Sequence, residues 1–206
     1  GSAIKPIAEY APAIEMGLIT PAAVIDDVPI EIGGWSPKNW YKEGFRGLST
    51  IREAIAQSMN VVAVKVWLKV GADASHNFMK KLGITSLQKG DKNAAMALGG
   101  LTEGISPVEM AGAYASFSNK GIYSKPITYT KVEDMNGKVI LENKGLSNVV
   151  MSEQAAYLMT SMLRDVVISG TGSNARMGSM PVAGKTGTTS DAKDKWFVGY
   201  TPYYTA

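Results

Sequence analysis

Apolar positions recur with a helical period over much of the chain. The pattern predicts six helices, over residues 2–16, about 50–58, 60–70, 73–82, 106–121 and 152–168. Thr50 and Ser106 each stand three residues before a glutamate, which is the capping-box pattern of a helix start. The valine-rich run after Asn60 suits a helix or a strand locally, but its length and the following Gly71 favour a helix capped by Asn60.

Alternation of polar and apolar residues, typical of β-strands, becomes prominent later in the chain. Residues 127–134 and 138–142 alternate around Asn136-Gly137, a dipeptide typical of a tight hairpin turn. Residues 182–188 and 196–201 are predicted to form adjacent antiparallel strands joined by a polar loop. A mostly helical chain with a late sheet predicts an α+β fold.

Composition narrows the class of protein. With 206 residues, 45% of them hydrophobic and 19% charged, the chain can bury a core. The net charge is +3 and the basic residues are scattered, so no nucleic-acid partner is expected. Cysteine is absent and His76 is the single histidine, which excludes disulfides and multi-histidine metal sites and disfavours a Ser-His-Asp triad. No metal or cofactor is expected, and no apolar run is long enough to span a bilayer.

Three short motifs carry the candidate chemistry. They are, in chain order, Ser2-Ala3-Ile4-Lys5, Ser58-Met59-Asn60 and Lys185-Thr186-Gly187-Thr188. A serine hydroxyl is a weak nucleophile until a base takes its proton, and Lys5 lies one helical turn after Ser2. Lys5 can be that base if its pKa falls from about 10.4, through desolvation or through a neighbouring cation such as Lys185. The motifs therefore predict an active-serine acyl-transfer site.

The second and third motifs have complementary predicted roles. Ser58 is predicted to relay a proton, and Asn60 to bond a substrate amide. The backbone N–H groups of Ser2 and Thr188 are predicted to form an oxyanion hole. In the third motif, the lysine and the threonine hydroxyls suit a terminal carboxylate, and the glycine lets an extended peptide approach the strand backbone. The predicted substrate-binding residues are Asn60, Thr186, Gly187 and Thr188.

Each motif also has a purely structural interpretation. Similar patterns recur in stretches predicted to be solvated, at Ser86/Lys89, Ser190/Lys193 and Ser75/Asn77. An N-terminal Gly-Ser is often an expression remnant, Asn60 can simply cap a helix, and the third motif can be a tight turn with a solvated lysine.

Residues outside the motifs are expected to be structural. Residues 18–47 hold many Pro, Gly and Trp and are predicted to form an irregular surface excursion. His76 is expected on an exposed helix face. Asp191 and Asp194 lack further metal-ligating neighbours and are expected to serve their loop.

The chain resembles the transpeptidase domain of class A, bifunctional penicillin-binding proteins. The order of Ser-x-x-Lys, Ser-x-Asn and Lys-Thr-Gly is typical of penicillin-binding proteins and class A β-lactamases. The other stretches similar to this family are Arg46 to Asn60, Ala97 to Gly100, Ser106 to Ala111, Gly170-Thr171-Gly172, Val182 to Gly184 and Trp196 to Pro202. The resemblance implies a penicillin-binding or serine-β-lactamase-like fold, with a helical subdomain and an antiparallel sheet.

The resemblance also implies a D,D-transpeptidase activity. Ser2 would attack the D-Ala-D-Ala amide of a peptidoglycan stem peptide and release D-alanine, and an amine of a second stem would take the acyl group. β-Lactams mimic the dipeptide and would acylate Ser2. The expected partners are therefore stem peptides and β-lactam antibiotics, at the extracytoplasmic face of the bacterial cell membrane.

Residues 1–206 are interpreted as a fragment of this domain, because the nucleophile is the second residue. The family's glycosyltransferase domain and membrane helix, the strands before the first motif, and the last strand and helix are expected outside this sequence. The fold is therefore expected to be incomplete, and the membrane to be reached only through the missing N-terminal anchor.

Three alternatives remain open from the sequence. A D,D-carboxypeptidase or a β-lactamase would hydrolyse the acyl-enzyme, although the Glu-x-x-Leu-Asn pattern expected of a β-lactamase is absent between the second and third motifs. A non-catalytic β-lactam sensor would stay acylated, and the Pro- and Trp-rich excursion suits a partner of such a sensor. In the third alternative, the motifs carry no chemistry and the chain is a structural module.

Overall fold

A buried helical segment lies at the centre of the fold. The computed structural model describes residues 1–42, 44–189 and 192–206. The central segment, residues 2–15, consists of a 3-10 turn, Ser2–Ile4, a π-helical turn, Pro6–Tyr10, and α1, Ala11–Glu15. Residues 3–14 are all buried, because the side chains are mostly apolar on every face. The helix predicted over residues 2–16 is confirmed, with an unpredicted π-helical turn inside it.

Five further α-helices lie in the described ranges. They are α2, Ile51–Ala56; α3, Asn60–Val70; α4, Ala72–Lys81; α5, Pro107–Ser118; and α6, Glu153–Ile168. Hydroxyl oxygens of Thr50, Ser106 and Ser152 cap α2, α5 and α6, as the sequence predicted. The helices share one hydrophobic core with the central segment. Of these described helices, none combines the length and the apolar character needed to cross a membrane.

The strands pair in small antiparallel sheets of two strands each. They are β1, Val24–Asp27, with β2, Gly47–Thr50; β3, Ile122–Ser124, with β6, Ser147–Val149; β4, Lys131–Glu133, with β5, Val139–Glu142; and β7, Ala183–Thr188, with β8, Lys195–Tyr200. β7 packs against α6 and against the 3-10 turn that holds Ser2. The α+β class is confirmed, and in the described ranges several small sheets take the place of one larger sheet.

Three local predictions about loops and exposure are wrong. Residues 18–47 are not irregular throughout, because β1 lies within them and pairs with β2. His76 is not exposed: it lies on a buried face of α4 with 3% of its surface accessible, and burial lowers its pKa. Ser75 beside it was also predicted to be solvated, but it is buried and donates to the Ala8 carbonyl oxygen at 2.6 Å. α4 therefore packs polar side chains inward, which its sequence pattern does not indicate.

Candidate active site

The first and second motifs meet at the side chain of Lys5. Ser2 is half-buried in the 3-10 turn, and Lys5 follows one turn later. Lys5 is fully buried, and its Nζ donates to Asn60 Oδ1 at 2.7 Å and to the Ser58 carbonyl oxygen at 2.9 Å. Ser58 Oγ and the Met59 carbonyl oxygen each lie 3.3 Å from the same nitrogen. The structure thus brings Lys5, Ser58 and Asn60 together, one helical turn after Ser2.

Burial controls the protonation of Lys5. Loss of hydration lowers the pKa of Lys5 to about 7, and the nearby Glu9 carboxyl opposes this shift. Four oxygens lie within 3.3 Å of Nζ, and a neutral amine donates to two of them and keeps its lone pair for a proton. Of the two causes that the sequence left open, burial is therefore the main one. A lysine in this state can act as a base near neutral pH.

Ser58 occupies a strained backbone position between α2 and α3. Its φ is +55°, in the left-handed region that residues other than glycine rarely adopt. This conformation directs both the carbonyl oxygen and the hydroxyl of Ser58 toward Lys5 Nζ. Because Ser58 is buried, the surrounding packing holds the strain in place. Strain of this kind concentrates at functional sites.

Ser58→Gly is expected to be about 1 kcal/mol more stable than Ser58→Ala, because only glycine adopts a positive φ without a steric penalty. Both variants lose the hydroxyl, so its loss cannot account for a difference between them. Urea denaturation measures it. At Ser161, inside α6, the same pair of substitutions should reverse the order, because alanine is the better helix former. Equal stabilities at position 58 would show that the backbone there is unstrained.

Asn60 is held from two sides and does not cap α3, so the capping prediction is wrong. Asn60 is the first residue of α3, and its Nδ2 donates to the Lys38 carbonyl oxygen at 2.7 Å while its Oδ1 accepts from Lys5. Asn39 provides the cap instead, since its Oδ1 accepts from the backbone N–H groups of Asn60 and Val61 at 2.9 and 3.3 Å. An amide nitrogen carries two N–H bonds, so the predicted bond to a substrate amide would use the second one.

The Pro- and Trp-rich segment, residues 18–47, holds the second motif in place. The sequence pattern did not indicate this role. Asn39 Nδ2 donates at 2.8 Å to the buried carboxylate of Asp27, the last residue of β1. Asp27 also accepts from the Tyr41 hydroxyl and from the Arg46 backbone N–H. These bonds fix the loop that holds α3. The available sequence signal was an asparagine in a turn-rich stretch, a residue type that commonly bonds backbone groups.

The third motif lies on β7, with its lysine turned inward. Lys185 is fully buried, and its Nζ donates to the Thr186 carbonyl oxygen at 3.1 Å and to Thr186 Oγ1 at 3.4 Å. Burial lowers the pKa of Lys185 well below its usual range, and the charge of Lys5 lowers it further. Thr186 is half-buried and Thr188 is exposed. Side chains alternate along a strand, so Lys185 turns into the core while Thr186 and Thr188 leave the strand on its other side. The long lysine side chain still reaches the Thr186 hydroxyl.

β7 runs directly beside the backbone of Ser2. A Cβ added to Gly187 would lie 2.9 Å from the Ala3 nitrogen and 3.5 Å from the Ser2 nitrogen. A Cβ added to Gly1 would lie 3.3 Å from the Thr188 nitrogen. The close approach explains the glycine at position 187. It also brings together the backbones of Ser2 and Thr188, which were predicted to form the oxyanion hole.

Glu9 is a buried carboxyl that the sequence analysis did not single out. It is fully buried, and neither of its oxygens has a hydrogen-bond partner among the described residues. Burial raises the pKa of Glu9 well above its usual range, and the charges of Lys5 and Lys185 oppose that rise. Its spacing of four residues from Lys5 was the available signal. Two lysines and one carboxyl thus share the buried side of the candidate site.

Comparison with known proteins gives the family. The family model described as the penicillin binding protein transpeptidase domain matches residues 1–206. The chain belongs to this transpeptidase family. The resemblance inferred from the three motifs is therefore confirmed.

Curated relatives and solved structures of penicillin-binding proteins agree with this assignment. Penicillin-binding protein 1A of Clostridium acetobutylicum is 42% identical over 217 residues, which cover 100% of this chain and 27% of the relative. Penicillin-binding protein 1A/1B of Bacillus subtilis is 37% identical, with 100% and 24% covered. The crystal structure of penicillin-binding protein 1A from Haemophilus influenzae superposes with a TM-score of 0.83 at 27% identity, over 97% of this chain and 36% of that one. The predicted fold is confirmed, and the chain spans about a quarter of the length of these two curated relatives.

The further copies of the Ser-x-x-Lys pattern in this transpeptidase-family chain lie in other surroundings than the first motif. Ser86 donates to a backbone carbonyl oxygen at 2.6 Å, and Lys89 is exposed. Asp194 bonds within its own loop, as predicted. Two residues named in the sequence interpretation lie outside the described residues: Ser190 and Asp191.

Proposed function

We propose that residues 1–206 form the acyl-transfer part of a D,D-transpeptidase that cross-links peptidoglycan stem peptides. The observation that carries this proposal is the position of Lys5 Nζ, which lies 2.7 Å from Asn60 Oδ1 and 2.9 Å from the Ser58 carbonyl oxygen, one turn after Ser2. The family and its penicillin-binding relatives support it. In the longer protein, we propose that a glycosyltransferase domain and a membrane anchor place this domain at the extracytoplasmic face of the cell membrane.

In the proposed acylation step, neutral Lys5 takes the proton of the Ser2 hydroxyl while Ser2 Oγ attacks the carbonyl carbon between the two D-alanines. The backbone N–H groups of Ser2 and Thr188 stabilise the charge on the carbonyl oxygen, and one such donor typically contributes about 3 kcal/mol. The C–N bond then breaks, and the Ser58 hydroxyl relays a proton to the D-alanine amine. The product is an ester on Ser2.

Binding of the stem peptide is assigned to β7 and to Asn60. The terminal carboxylate bonds to the hydroxyls of Thr186 and Thr188 beside Lys185, and a peptide amide bonds to Asn60 Nδ2. An amine of a second stem attacks the Ser2 ester: the cross-linking amide bond forms, the ester C–O bond breaks, and the proton lost by the amine returns to Ser2 Oγ. β-Lactams enter by the same acylation step and remain as slow acyl-enzymes. The proposed steps use no metal or cofactor.

Mapping of a covalent penicillin adduct tests the proposal. The full-length protein is incubated with fluorescent penicillin, and the labelled peptide is sequenced by mass spectrometry. We expect the adduct on Ser2 Oγ, because Ser2 is the serine one turn from the buried Lys5. An adduct on any other serine, including Ser86 of the second Ser-x-x-Lys pattern, would overturn the assignment.

The lifetime and the fate of the acyl group separate the alternatives. Release of the penicilloyl group within seconds would favour a β-lactamase and contradict the transpeptidase. A stem pentapeptide with an amine acceptor should give a cross-linked product. Hydrolysis alone would indicate a D,D-carboxypeptidase, and acylation with neither product would indicate a β-lactam sensor.

A further inference from the structure

Thr171, a residue outside the three motifs, contacts the candidate carboxylate-binding hydroxyl. Its Oγ1 lies 2.7 Å from Thr186 Oγ1, across the junction between the end of α6 and β7. The Thr171 backbone is fixed as well, because its N–H donates to the Ala56 carbonyl oxygen at 3.0 Å. Ala56 ends α2, two residues before Ser58. Thr171 therefore joins the elements that carry the second and third motifs.

The neighbouring glycine shows how closely this turn packs. A Cβ added to Gly170 would lie 2.3 Å from the Ala56 carbonyl oxygen and 2.9 Å from Val166 Cα. Backbone atoms cannot yield to such a contact, so the turn after α6 has little freedom to move. The position of the Thr171 hydroxyl relative to β7 is therefore set by backbone packing on both sides.

Two polar groups approach Thr186 Oγ1, and either hydroxyl of the Thr171–Thr186 pair can be the donor. A hydroxyl has one O–H and two acceptor lone pairs. Lys185 Nζ donates to Thr186 Oγ1 at 3.4 Å. If Thr171 donates its own hydroxyl hydrogen at 2.7 Å, both lone pairs are used. The Thr186 O–H then points away from both donors as a free donor on the accessible side of β7.

We propose that Thr171 is a positioning residue that makes the Thr186 hydroxyl a dedicated hydrogen-bond donor for the terminal carboxylate of the substrate. A carboxylate only accepts hydrogen bonds, so it needs a donor whose hydrogen is already directed toward it. A chain of hydroxyls also polarises its last member and strengthens the final bond. The inference rests on the proposed function, in which Thr186 meets that carboxylate.

Rate constants for a penicillin and for its methyl ester test the role of Thr171 in the full-length protein. The two compounds differ in the negative charge of the carboxylate. Thr171→Val keeps the side-chain shape and removes the hydroxyl, and it should slow acylation by the acid about tenfold, as expected for one hydrogen bond to a charged group. Acylation by the ester should change less than twofold, and Thr171→Ser should retain most of the rate with the acid.

Thr160→Val is the matched control. Thr160 Oγ1 lies 2.8 Å from the Tyr200 hydroxyl, so this variant also removes a hydroxyl contact between α6 and its neighbouring sheet. We expect no change in the acid-to-ester ratio. Rates are normalised to the amount of enzyme that labels at completion, which removes differences in folded fraction. Thr171→Ala serves as the second variant if Thr171→Val does not fold.

The outcomes separate this inference from the proposed function. Equal slowing of acid and ester, or an unchanged rate with the acid, would overturn the positioning role of Thr171. A Thr171→Ser variant as slow as Thr171→Val would overturn it too, because the hydroxyl would then not be the active group. If the wild-type protein carries its adduct on a residue other than Ser2, the proposed function itself fails.

Discussion

Lys5→Met in the full-length protein is expected to slow the acylation of Ser2 by penicillin about 10²–10⁴-fold, the usual contribution of a positioned general base. Methionine has a similar length and tolerates burial, so the central segment keeps its packing. What is lost is the amine that lies between Asn60 Oδ1 and the Ser58 carbonyl oxygen. The second-order rate constant of fluorescent-penicillin labelling measures the effect.

The proposed role of Lys5 as the base also predicts how the rate of the wild-type protein depends on pH. Burial lowers the pKa of Lys5 to about 7. Below that pH the amine is protonated and has no lone pair to accept the Ser2 proton. The rate constant should therefore fall about tenfold for each pH unit below 7 and level off above it. A profile that is flat across this range would contradict Lys5 as the base.

Two variants control for nonspecific effects at Lys5. Lys89→Met removes the exposed lysine of the Ser86/Lys89 pattern and should leave both the rate and its pH profile unchanged. Ser2→Ala gives the unlabelled background. If Lys5→Met labels within threefold of the Lys89→Met variant, another group activates Ser2.

Local sequence signals were sufficient to predict the three motifs and the helices and strands that carry them. The helix over residues 2–16 follows from an almost uninterrupted apolar run, and the caps at Thr50, Ser106 and Ser152 follow from their hydroxyl side chains. The pairing of β7 with β8 follows from two alternating stretches separated by a short polar loop. Each of these features depends on residues close together in the chain.

Features that depend on distant contacts could not be predicted in this way. Asn39 caps α3 from 21 positions away, and Thr171 reaches Thr186 across a turn between two elements. His76 was predicted to be exposed because polar helix residues usually face water, yet the face of α4 that carries it packs inward. Glu9 lies in the core without a hydrogen-bond partner among the described residues, which no pattern rule anticipates. The motifs thus supply the proposed reacting groups, and the tertiary structure determines what holds them.

Gly187→Ala is expected to slow acylation about 10²-fold, even though the substitution adds only one methyl group. The added Cβ would lie 2.9 Å from the Ala3 nitrogen and 3.1 Å from Ala3 Cβ. Because the obstructing nitrogen belongs to the backbone of the central segment, β7 has to move away from Ser2. A displacement of about 1 Å at a reacting centre commonly reduces the rate by this factor. The Thr188 N–H would then no longer face the same oxyanion as the Ser2 N–H, with which it is proposed to form the oxyanion hole.

Gly90→Ala is the matched control, because a Cβ added there meets no atom within 4 Å. It should acylate at the wild-type rate. Saturation kinetics should show that Gly187→Ala lowers the maximal acylation rate more than it weakens initial binding of penicillin, since the oxyanion forms only during the reaction. Acylation of Gly187→Ala within threefold of Gly90→Ala would contradict the contact between β7 and the backbone of Ser2. Both variants add the same methyl group, so the difference in their maximal rates reports how closely β7 must approach Ser2, the proposed nucleophile.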